Sequence, residues 1–251
     1  MATSLSILTF HSLDDQSSVI SFSPELFRSG MAKLHERGYR TVSLLEAANC
    51  LEREEPFPDR SFVITFDDGY RTIYEVAFPV LQDYGLSATL FLTVGERGRR
   101  KPGERLPSLE DRTMLNWSEI GEMKRWGIEL GAHTLTHPDL THIPRERMEA
   151  EIGESKKIIE DTLAAPVSCF AYPYGRYNDP IRKLIQQHFA CACSDNLGLM
   201  CATSDPYALE RVDAYYLRTD KLFNLILTRA FPSYIRVRGI FRRIRRTLEL
   251  S

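Results

Sequence analysis

The 251-residue chain has no apolar stretch approaching the roughly 18 residues that a membrane-spanning helix needs. Its first residues, Met1 to His11, lack a basic segment and carry too short an apolar core for a secretory signal. The expectation is a cytosolic chain, unless an export signal has been removed from it. Cysteine is scarce: Cys50, Cys169, Cys191, Cys193 and Cys201 are odd in number and show no C-x-x-C pair. That argues against a disulfide framework and against a zinc ribbon. Buried free thiols are the expected state, with a metal or redox pair at Cys191-Ala192-Cys193 as the lesser reading. No internal repeat and no low-complexity linker interrupts the chain. What remains, 43% hydrophobic and 26% charged residues, is an ordinary globular composition long enough for one α/β barrel domain.

Charge is uneven. Residues 221–251 hold eight basic residues against one acid, Glu249, a net +7; the chain's net −2 therefore leaves −9 on residues 1–220. A basic tail on an acidic body follows.

Short apolar, β-branched runs alternate with helical patterns, which favours βα units around a parallel sheet. Leu5–Phe10, Ser61–Phe66, Ala88–Val94, Ile128–Ala132 and Val167–Ala171 read as strands. Helices are expected over Pro24–Gly38, with Ser23 as N-cap and Pro24 at N1, and over Tyr74–Tyr84, Asn116–Trp126, Arg145–Leu163 and Asp179–Phe189. Gly95–Leu106 reads as a charged, Gly-rich loop; within 95–115 it is expected to shape a substrate groove. Segment 190–217 shows no clear pattern. From Pro232 to Leu250, Val237, Ile240, Phe241, Ile244 and Leu248 form one apolar stripe, with six arginines largely off it. Such a helix can lie on an anionic membrane surface, and Gly239 weakens it by about 1 kcal/mol. The expectation is that it forms on contact with lipid; packing on the barrel, a solvated tail and a nucleic-acid patch are the competing readings, nucleic acid the weakest.

Two segments carry the chemistry. Asp67 and Asp68 end the apolar run Phe62-Val63-Ile64-Thr65-Phe66, followed by Gly69-Tyr70; later comes His133-Thr134-Leu135-Thr136-His137. Each alone has a plain reading, a turn for Asp-Asp-Gly and a helix face or loop for the histidine pair. Together they supply two imidazoles and two carboxylates, one group more than a catalytic zinc with an open position requires. The surplus carboxylate suits a general base, and the combination points to a metal-dependent hydrolase.

With Tyr172-Pro173-Tyr174-Gly175 added, order and spacing resemble the first three motifs of the NodB-like polysaccharide deacetylases, carbohydrate esterase family 4, over roughly residues 5–215. The resemblance implies an irregular (β/α) barrel, a deformed seven- or eight-stranded TIM-like barrel in a single domain, with a deacetylase domain at 1–220 and the basic amphipathic tail at 221–251. It implies removal of acetyl groups from N-acetylated sugars with one divalent metal, zinc foremost and Co, Ni or Fe as alternatives. Asp68, His133 and His137 would bind the metal, Asp67 would be the base, and the Tyr174 backbone N–H would help hold the oxyanion; a Pro-aromatic turn without chemistry is the other reading of Tyr174.

Two positions depart from the pattern. Ala171 stands where many members have an arginine that orients the catalytic aspartate, so Arg211 either replaces it or is an ordinary surface arginine. No histidine follows His188, so the usual late acid is absent. His11, at the end of the first strand, resembles the acid of the exopolysaccharide poly-N-acetylglucosamine deacetylases, with Phe10 replacing their tyrosine; a strand-end histidine that caps a loop is the alternative. His35, His142 and His188 read as surface or packing residues. The expected substrate is an N-acetylated glycan or a lipid-linked glycan, with peripheral association at the inner membrane face through 232–250. A related amidase or deformylase, and an inactive glycan-binding barrel, are the alternatives.

Overall fold

The structure, a computed structural model, describes residues 3–95, 101 and 103–249, with only the backbone of 246–249. Part of the expected 95–106 loop, residues 96–100 and 102, lies outside the described residues. The strands in chain order are β1 (Ser4–Phe10), β2 (Ser12–Leu13), β3 (Ser21–Phe22), β4 (Arg40–Thr41), β5 (Ser61–Phe66) and β6 (Thr89–Leu92). They continue with β7 (Glu129–Ala132), β8 (Cys169–Ala171), β9 (Cys191–Leu197), β10 (Met200–Cys201) and β11 (Leu209–Asp213). The helices are α1 (Pro24–Glu36), α2 (Leu44–Glu52), α3 (Phe78–Tyr84), α4 (Trp117–Trp126), α5 (Arg145–Leu163), α6 (Asp179–His188), α7 (Asp220–Phe223) and α8 (Phe231–Glu249).

Seven parallel strands pair in the order β1-β11-β9-β8-β7-β6-β5, with β4 and β10 added at its flanks. β1 then pairs with β5, from Ser6 opposite Phe62 to Phe10 opposite Phe66, so the sheet closes on itself. The result is a (β/α)7 barrel in one domain. Closure explains why the strands read as nearly continuous apolar runs: both faces are covered. In β5, Val63 points into the barrel with Ile7, Phe91, Cys169 and Cys191, while Phe62, Ile64 and Phe66 meet the helices outside. The three central cysteines are free and buried, Cys191 Sγ lying 3.5 Å from Cys169 Sγ.

Local signals set the helices with some differences. Asn116 caps α4 in a capping box with Glu119, and Gly127 closes it at φ 111°. At α1, Ser23 occupies the N-cap position but its side chain makes no cap hydrogen bond; Pro24 with its fixed φ starts the helix. The expected helix at 74–84 begins as a π-helical turn, Ile73–Ala77, before α3. Segment 190–217 supplies β9 and β11, whose register shifts between Leu209 and Arg211, an irregularity that blurs a period-2 pattern.

The tail departs most from expectation. α8 is a formed helix docked on the barrel, as the competing reading had it, but not through its apolar stripe. Phe231 and Ile235 are buried, Tyr234 Oη donates to Tyr216 O at 2.8 Å, and the backbone at Gly239 lies so close that a Cβ there would meet Leu197 O at 2.9 Å. Val237, Ile240, Phe241 and Ile244 are about half exposed or more. A 3.6-residue period marks a stripe but not which side the barrel takes. The side chains of Arg246 and Leu248 lie outside the described residues.

Candidate metal centre

Parallel strands deliver their C-terminal ends to one mouth of the barrel, where loops carry the chemistry. Asp67 and Asp68 follow β5, His133 follows β7, Tyr174 follows β8, His11 follows β1, and Arg211 stands on β11. All six line one cleft of about 840 Å³ together with His137.

Asp68, His133 and His137 bring one ligand-type atom each within 4.8 Å of one another. Asp68 Oδ1 is 3.4 Å from His133 Nε2 and 3.5 Å from His137 Nε2, and the two Nε2 atoms are 3.2 Å apart. His133 Nδ1 donates to Ala171 O at 2.7 Å, which leaves Nε2 as the lone-pair nitrogen. Burial, and then His133, push His137 down to about 4, so its ring is neutral near pH 7. Asp68 Oδ1 is buried without a hydrogen-bond partner. Burial would lower the His133 pKa, but Asp68 and then Asp67 outweigh it and hold the ring above the usual imidazole range. This buried cluster therefore favours positive charge, and a divalent cation fits its carboxylate oxygen and two imidazoles.

Asp67 has a different setting. Arg211 Nη1 and Nη2 donate to Asp67 Oδ1 and Oδ2, both at 2.8 Å, and Arg211 Nε donates to Ser194 O at 2.9 Å. Both residues are buried. Burial would raise the Asp67 pKa, but Arg211 outweighs it, with His133 and His11 adding to the effect, and the carboxyl stays below its usual range. His11 Nε2 lies 3.9 Å from Asp67 Oδ2. Arg211 is thus a buried partner of Asp67, reaching from β11, while Ala171 contributes only its carbonyl.

Strain gathers here. Nine described non-glycine residues have positive φ, and Asp68 (73°), Thr134 (71°), His137 (57°) and Tyr174 (56°) belong to this one site. Each such residue costs about 1–3 kcal/mol and persists only where its surroundings enforce it. The histidine loop is enforced by Glu151 of α5, whose carboxylate accepts from Leu135 N and Thr136 N at 2.9 Å and from Thr136 Oγ1 at 2.6 Å. Sequence reasoning missed Glu151, although it sits among Met148, Ile152 and Ile159 on the buried face of α5, where an acid needs a reason. At Tyr174, Gly175 (φ 65°) packs so tightly on Asp195 that a Cβ would lie 2.2 Å from Asp195 Cβ. The Tyr174 ring packs edge-on to His137, centroids 4.7 Å apart. His142 and His35 lie at the surface, and Leu109 and Glu110 of the 95–115 loop line the cleft.

The polysaccharide deacetylase family profile matches residues 54–189, more than half of the chain. The chain belongs to that family. YxkH of Bacillus subtilis, named a candidate polysaccharide deacetylase, is 30% identical over 209 residues, 83% of this chain and 70% of its own length. The poly-β-1,6-N-acetyl-D-glucosamine N-deacetylase of Staphylococcus aureus strain MRSA252 is 31% identical over 137 residues; the match spans 51% of this chain and less than half, 45%, of that protein. Among solved structures, the Streptococcus pyogenes deacetylase PplD in complex with acetate superposes with a TM-score of 0.74 at 26% identity, covering 84% of this chain and 92% of PplD. Within this deacetylase family the barrel, the cleft and the candidate cation-binding triad are those of a hydrolase.

Proposed function

We propose that the chain is a metal-dependent N-deacetylase of an N-acetylated glycan, with Asp68, His133 and His137 holding one divalent ion, zinc before Co, Ni or Fe. The carrying observation is the partnerless buried oxygen of Asp68 facing two imidazoles beside a separately clamped, ionised Asp67. A divalent cation there supplies Lewis-acid polarisation of an amide carbonyl and acidifies water. Asp67 takes the proton of the attacking water, and its double hydrogen bond to Arg211 fixes which way the carboxylate faces. Water oxygen adds to the acetyl carbon, and the Tyr174 N–H donates to the carbonyl oxygen as negative charge develops. His11, on the Asp67 side of the cleft, protonates the amine nitrogen as the C–N bond breaks, releasing acetate. The chain's relatives include an enzyme named for poly-β-1,6-N-acetyl-D-glucosamine, which makes N-acetylglucosamine polymers the first substrates to offer.

The test is acetate release from N-acetylglucosamine oligomers set against formate release from N-formyl amides. Acetate from the oligomers alone supports the reading; turnover of the formyl amides alone moves the chain to an amidase, and turnover of neither with metal bound removes both.

A cytosolic chain touching the inner membrane face through 232–250 is a separate proposal. It rests on the +7 tail charge and on the exposure of Val237, Ile240 and Ile244. Equal partition of the protein and its I240E/I244E variant onto anionic vesicles would remove it.

A further inference from the structure

α8 presents three faces. Phe231, Ile235 and Gly239 meet the barrel, and Val237, Ile240 and Ile244 face outward. Arg238, Phe241, Arg242 and Arg245, at i, i+3, i+4 and i+7, line the same cleft as the triad.

This arginine face is held in place. Arg242 Nη2 donates to Asp195 Oδ2 at 2.7 Å, and Asp195 is the residue against which Gly175 packs beside Tyr174. The close backbone approach at Gly239 fixes how near α8 sits. This arginine face is therefore tied to the loop that carries Tyr174, and it shares the cleft with the triad. Of the acids that line the cleft, Asp67 is paired with Arg211 and Asp195 with Arg242, Asp68 faces the two triad histidines, and Asp213 accepts the Tyr215 N–H at 2.8 Å. Glu110 lines the cleft as well. Guanidinium groups one turn apart on a helix match phosphate and carboxylate oxygens, and a partly enclosed cleft strengthens the attraction.

We propose that the cleft face of α8 is an oxyanion-binding wall, so that the preferred glycan carries a phosphate or carboxylate close to the N-acetyl sugar. This deepens the deacetylase reading and rests on it; it makes Arg238 and Arg245 specificity residues, outside the matched segment 54–189.

The full chain is titrated calorimetrically, and assayed for acetate, with three oligosaccharides: a neutral N-acetylglucosamine tetramer, the same tetramer with a reducing-end phosphate, and an oligomer alternating uronic acid with N-acetylglucosamine. The expected result is that at least one anionic oligomer binds about ten-fold more tightly than the neutral one, the low end for hydrogen bonds to charged groups. The preference shrinks as salt rises. It disappears in R238E/R245E, whose thermal midpoint stays at the parent value, and is partly kept in R238K/R245K. Phosphate or uronate preference tells which source is read. Equal affinity for all three, or a preference that survives R238E/R245E, overturns the wall. Acetate from none of them, with the binding preference intact, removes the deacetylase reading and leaves the wall standing; equal affinity with acetate released does the reverse.

Discussion

Two adjacent aspartates at the end of one strand occupy opposite electrostatic worlds. On the β11 side, Asp67 has both oxygens held by a buried arginine. On the β7 side, Asp68 points a partnerless oxygen at two histidine nitrogens. Backbone geometry makes the division: Asp68 at φ 73° turns the chain, so successive side chains face different partners. A finished ion pair and an unfinished one, side by side, are what a base next to a cation requires.

The comparison breaks most visibly at the unfinished side. Asp68→Asn removes the one anionic ligand, and acetate release should fall to background with metal content near zero, read by acetate assay and elemental analysis. Stripping the metal with a chelator should do the same to the unaltered protein and be reversed by adding zinc. Asp67→Asn keeps the triad, so metal stays bound while kcat drops by about 10²–10⁴, the usual range for a positioned base. Arg211→Met sharpens the contrast: a buried carboxylate left without its partner should lower stability by about 3–5 kcal/mol in denaturant melts. D67L/R211M, which removes both charges, should recover most of that loss. The sign with pH follows from the lowered Asp67 pKa. Its stabilisation is present above the ordinary carboxylate range and is lost as pH falls through the depressed folded value, and removing both partners should flatten that acid limb. The smallest effect belongs to Glu151→Gln, whose carboxylate holds the loop between the two histidines; the change should weaken metal affinity by about 10–100-fold, measured by competition with a chelator.

The sequence made one half of this contrast legible. Asp68, His133 and His137 were readable because ligand-type residues at strand ends are few and the parallel barrel gathers strand ends at one mouth. Arg211 was readable only as one of two options, since it reaches Asp67 across 144 positions and no local period reports such a pairing. Glu151 escaped because a helix read for its apolar stripe hides the acid within it. The strain at Thr134, His137 and Tyr174 has no signal in residue type, as none is glycine. α8 shows the same limit in another form: its amphipathic period was visible, but the docked face follows Gly239 and the barrel rim rather than the stripe.

The most direct measurement is metal content per chain in three samples prepared alike: the unaltered protein, D67N and D68N. The expected values are close to one, close to one and close to zero. A well-folded unaltered protein that binds no divalent metal, or a D67N variant that loses it as fully as D68N, would contradict the division of labour between the two aspartates.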